Sequence, residues 1–127
     1  MESISIKKIS HRAQRYNTVG DYFMKGKVLH FKVSDMGNPD FEMACLLHEL
    51  VERHLCQKAG VTDKEIDAWD LKCKDNEPGL NRKAPYHKQH MVADAIERLF
   101  IQLCGADWRE YEKRVDKLSD LYEKGEK

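Results

Sequence analysis

No stretch of the chain approaches the ~20 consecutive apolar residues that a membrane-spanning helix needs. The opening Met1–Lys8 also lacks the apolar segment of a secretory signal, so the expected compartment is the cytoplasm. Charge of one sign is not in excess either. The 22 Lys and Arg against 22 Asp and Glu give a formal net charge of +0, with no global field to draw the protein to nucleic acid or anionic lipid. Neither a nucleic-acid partner nor a membrane is therefore expected. The four cysteines (Cys45, Cys56, Cys73, Cys104) form no Cys-x-x-Cys pair and read as free, buried, reduced thiols. There are no repeats, no Gly-rich phosphate loop and no nucleophile-elbow motif.

What is present fits one α+β domain over residues 1–127, long enough to bury a core without disulfides or a structural metal. The β-rich part is 1–36 and the helical part 37–127. Ser3 to Ile9 alternates isoleucine with polar residues and predicts a short strand. Asp21–Met24 and Val28–Val33 flank a turn at Gly26 and predict a hairpin, with Leu29, Phe31 and Val33 on one face. The expected sheet is small and antiparallel. About four helices follow. The first runs from Pro39 to Ala59 and stops at Gly60. The second starts from the capping box Thr62-Asp63-Lys64-Glu65 and reaches about Lys74. The third spans Pro85 to Cys104. The fourth spans Asp107 to Glu123, with Trp108, Tyr111, Val115, Leu118 and Tyr122 as its apolar stripe.

The first helix carries the main clue. At about 100° per residue, Phe41, Ala44, Val51, Leu55 and Ala59 fall within about 60° of His48, and Glu52 lies about 40° from it. Glu42, Glu49, Arg53 and Gln57 form the expected polar wedge. A histidine and a glutamate one turn apart thus face the core. An unpaired carboxylate there would cost several kcal/mol, a large part of a domain's stability of about 5–15 kcal/mol. Something must compensate Glu52: an arginine such as Arg82 or Arg98, a proton, a hydrogen-bond network or a metal. Side chains at i and i+4 project together, so His48 and Glu52 are candidate ligands to one ion. Glu49, beside the pair but off its axis, stands where a general base would act on a metal-bound water.

The third helix adds His90, expected as a third ligand, with Asp94, Glu97 and His87 as weaker candidates in the same arc of about 80°. Val92, Ala93, Ile96, Leu99, Phe100 and Leu103 form its expected apolar face. Glu77 and Asp70 rank below these as residues able to approach the site. Mixed His and carboxylate ligation suits Zn²⁺ first, and also Fe²⁺ or Mn²⁺.

His48-Glu49-Leu50-Val51-Glu52 resembles the His-Glu-x-x-His helix of zincin metalloproteases, over those five residues only and with Glu52 in place of the second histidine. Together with His11–Tyr16, Val19–Tyr22, Glu77–Gly79 and Ala84–His87 followed by His90, the segment also resembles a family of small uncharacterised bacterial and phage proteins. That likeness implies common ancestry and a phage or mobile-element context, and it carries no established activity. Arg12, Arg15, Tyr16 and Asp21 read more readily as loop residues than as the lining of a cleft. Two functional expectations follow. One is a metal-dependent hydrolase, with its substrate unspecified. The other is a non-catalytic binding or modulator protein with a buried His/Glu network. An open coordination position reached by a cleft would mark the enzyme, and a closed site the module.

Overall fold

A computed structural model describes residues 3–75 and 77–125. Strands β1 (Ser3–Ile9), β2 (Gly20–Lys25) and β3 (Val28–Ser34) precede helices α1 (Pro39–Ala59), α2 (Asp63–Lys72), α3 (His87–Leu103) and α4 (Trp108–Glu123). The class is α+β, with a three-stranded sheet at the N-terminal end and a helical body.

The hairpin is antiparallel as expected, from Gly20 opposite Val33 to Lys25 opposite Val28. β1 departs from the antiparallel expectation. It pairs in parallel with β3, from Ser3 opposite Val28 to Ile9 opposite Ser34, giving the order β1-β3-β2. The reason lies in the connection over residues 10–19, which arches past the end of β3 and leaves room for that strand in the middle. Ser34 N–H donates to Val19 O at 2.8 Å and Asp35 N–H to Ile9 O at 2.7 Å. The arch is ordered by side chains as well. His11 and Gln14 bond to Ser34 Oγ, and the Arg15 fork grips Asp21 at 2.7 and 2.8 Å. As an edge strand β1 keeps Ile4 and Ile6 exposed, whereas Leu29, Phe31 and Val33 of the central strand are buried on one face.

α1 follows its sequence signals from end to end. The Asn38 side chain accepts from the N–H groups of Asp40 and Phe41, Pro39 opens the first turn, and Gly60 ends the helix in the left-handed region at φ 76°. Thr62 and Glu65 complete the capping box of α2, which stops at Lys72, short of the expected end. No side chain caps α3, and it begins at His87, two residues late.

α1 packs against β2 and β3 on one side and α3 on the other. Coverage from two sides corrects the wedge expected on α1. Arg53 is buried, and Glu49 keeps only 12% of its side chain exposed. Phe41 and Ala44 are buried as expected, but Ala59 is exposed. One apolar cluster gathers around Tyr22, Phe31, Cys56 and Tyr86, and another around Val33, Phe41, Ala44, Ile101 and Tyr111.

α3 is rotated relative to its hydropathy. Ala93, Glu97 and Ile101 are buried, while Val92, Ile96, Leu99 and Leu103 are exposed. The helix turns its acid- and histidine-bearing face inward because that face finds strong partners on α1 and α4. Cys45 and Cys56 are buried free thiols, as expected; Cys73 is half-buried and Cys104 exposed. No helix among the described residues is long and apolar enough to cross a membrane.

Candidate metal centre

α1 brings His48, Glu49 and Glu52 opposite His90, Asp94 and Glu97 of α3. His48 and Glu52 are 7% and 5% exposed and Glu97 is 7% exposed. Glu52 Oε2 lies 3.0 Å from His48 Nε2 and 2.8 Å from His90 Nδ1, and those two nitrogens are 3.2 Å apart. A point about 2.1 Å from all three atoms exists roughly 1.2 Å off their plane, within the ~2.0–2.2 Å range of His and carboxylate bonds to Zn²⁺. The buried cluster could thus hold a metal ion.

The surrounding groups orient these three. Tyr22 Oη donates to Glu52 Oε1 at 2.9 Å. Glu97 Oε1 lies 2.8 Å from His48 Nδ1, and its other oxygen accepts from the Tyr111 hydroxyl. Carboxylates behind a histidine fix its ring orientation and raise its basicity, as partners of metal-ligating histidines do. Two more sets of ligand atoms, His48–Asp94–Glu97 and Glu77–His90–Asp94, also lie within 4.8 Å of one another.

Electrostatics follow from crowding. Burial pushes the Glu49 carboxyl well above its ordinary value, and repulsion from Glu52, Asp21 and Glu97 adds to this against the attraction of His48. Burial would also raise Glu52, but hydrogen bonds and charge from His48 and His90 bring it down to about 2. Burial would lower His48; its bonds to Glu52 and Glu97 and the Glu49 charge outweigh that and raise it. Both His48 nitrogens thus have a carboxylate oxygen within 3.0 Å, an arrangement that favours the protonated ring.

Several sequence expectations need correction here. Glu49 does not stand on a solvated edge: its Oε2 is 3.7 Å from His48 Nε2, inside the cluster. His87 turns away and bonds to Gly79 O at 2.9 Å. Asp70 accepts from the hydroxyls of Tyr16 and Tyr86, outside the three ligand sets, and burial lifts its carboxyl to about 6. Glu52 finds two histidines and a tyrosine rather than an arginine, and Arg98 lies over the Trp108 ring at 4.8 Å.

Sequence reasoning missed Tyr22 and Tyr111 as hydroxyl donors, and Gly20 and Gly79 as contact points. A Cβ on Gly79 would lie 2.4 Å from His90 Cγ and 2.5 Å from its Nδ1. A Cβ on Gly20 would lie 2.8 Å from Glu49 Cγ. Both glycines sit inside blocks that carry the resemblance to bacterial and phage proteins, which was the one available signal. The Pro78–Leu80 turn that bears Gly79 is fastened by Trp69 Nε1 donating to Pro78 O at 3.0 Å.

Comparison of the chain with family models, with curated proteins and with solved structures gives no match.

Proposed function

We propose that the protein binds a divalent cation, Zn²⁺ before Fe²⁺ or Mn²⁺, at His48, Glu52 and His90, and uses it for hydrolysis. One observation carries the reading. Two imidazole nitrogens 3.2 Å apart both face the same carboxylate oxygen. As a pure hydrogen-bond network this aims two N–H dipoles at one point. A single cation in that place satisfies all three atoms at once.

A bound cation would supply Lewis acidity and lower the pKa of a coordinated water. Glu49, 3.7 Å from His48, is the group within reach to accept that water's proton. Glu49 would take the water's proton as its oxygen bonds to the electrophilic carbon or phosphorus, and would return that proton to the leaving group as the bond between that atom and the leaving group breaks. Burial raises the Glu49 carboxyl, and a dication beside it would bring it back down toward the ionised form a base needs.

A second reading is a non-catalytic binding or modulator protein, of the sort a phage or mobile element encodes. It is favoured by the near-closure of the cluster. Two surface cavities among the described residues lie away from it, one beside Arg53 and Gly60 and one between Arg98 and Trp108. Metal-loaded protein assayed on peptide, ester and phosphoester panels separates the two. Hydrolysis that drops by about 10²–10⁴-fold in Glu49→Gln, at unchanged metal content, supports the enzyme. Unchanged turnover removes Glu49 from the mechanism, and metal retained with no turnover on any panel favours the module.

A further inference from the structure

We infer that the cluster holds a second divalent cation, bound by Glu77 and Asp94 with His90 as the ligand shared between the two positions. The inference rests on the first cation being bound as proposed above. Glu77, His90 and Asp94 each offer a ligand atom within 4.8 Å of the others. They come from two elements: His90 and Asp94 are one turn apart on α3, and Glu77 lies on the turn packed over the His90 ring. The His90 ring has a nitrogen for each position. Nδ1 belongs to the triangle with His48 and Glu52, whereas Nε2 is buried and has no hydrogen-bond partner among the described residues. A buried nitrogen without a partner is costly, and a ligand beside it removes the cost.

Charge points the same way. Glu49, Glu52, Glu77, Asp94 and Glu97 converge on two histidines. His90 offsets the charge on Glu77, and His90, His48 and Arg98 offset that on Asp94. One dication leaves most of this negative charge without compensation; two come close to balancing it. When His90 bridges both cations, its remaining N–H proton passes to solvent, so filling the second position releases one proton.

The test is zinc stoichiometry. Untagged protein is stripped with a chelator, loaded with Zn²⁺, desalted and measured by elemental analysis, with circular dichroism as the check on folding. The expected result is two zinc ions per wild-type chain and one in Glu77→Gln/Asp94→Asn. Glu77→Gln alone, on an exposed turn, serves as the second variant and should weaken the second site by at least tenfold in a Zn²⁺ titration. One zinc in both wild type and double variant overturns the second position and leaves the first standing. Two in both overturns Glu77 and Asp94 as its ligands. No zinc in the wild type defeats the first site, and this inference with it.

Discussion

At the scale of the residue, the cluster depends on where side chains are allowed to sit. Gly79 touches the His90 ring so closely that any Cβ must push the ring or the turn aside. Gly79→Ala removes no ligand, yet it should displace His90 Nδ1 from Glu52 and lower Zn²⁺ affinity by about 10–100-fold, the usual effect of disturbing a group that supports a ligand. A Co²⁺ titration followed by its visible spectrum checks this. Unchanged affinity and spectrum would show that the turn does not seat His90. The amino-acid order revealed His48 and Glu52 because a polar pair on an apolar arc is a local pattern. It could not reveal Gly79, since close approach is a property of two segments that meet only in the fold. Tyr22 and Tyr111 were hidden for a related reason: each occupies an apolar stripe, and only the facing carboxylate turns its hydroxyl into a functional donor.

At the scale of the element, α1 and α3 form one unit whose contact is partly ionic. α1 was legible to the residue because Pro39 and Gly60 mark its ends locally. The inward face of α3 was not. Hydropathy weighs Val92, Ile96, Leu99 and Leu103 against His90 and Glu97, but it has no term for a specific carboxylate–imidazole pair across the interface. Those pairs win, and the four apolar residues face outward. The same pairs set a pH dependence for the metal-free protein. His48 has a raised folded-state pKa, so its stabilisation is complete below its ordinary 6.5 and is lost as pH rises through the raised value. Glu52 is lowered to about 2, so its stabilisation is present above its ordinary 4.5 and is lost as pH falls toward 2. Glu49, raised by burial, is stabilising only below its ordinary 4.5 and loses that stabilisation as pH rises above it, ahead of His48. Melting temperatures in EDTA should therefore peak near pH 4.5, fall as pH drops toward 2, and fall on the other side, first through Glu49 and above 6.5 through His48 as well. A melting temperature that climbs steadily from pH 6.5 to 9 would contradict a charged His48 at the interface.

At the scale of the whole molecule, the sheet and the helical body have distinct tasks. The sheet supplies Tyr22 and the Gly20 contact from β2, α1 and α3 supply the ligand atoms, and α4 supplies Tyr111 behind Glu97. The class, the hairpin and the helix order were readable because periodicity and caps are local. The parallel pairing of β1 was not, because it depends on how the 10–19 arch closes over β3. The parts converge on the cluster of His48, Glu52, His90 and Glu97. The central claim is that a cation belongs among His48, Glu52 and His90. Anomalous diffraction at the zinc edge, from crystals of untagged protein grown with Zn²⁺, tests it most directly. The account predicts a peak about 2.0–2.2 Å from His48 Nε2, His90 Nδ1 and Glu52 Oε2. Well-ordered density for all three side chains, with hydrogen bonds intact and no anomalous peak between them at saturating zinc, would contradict it.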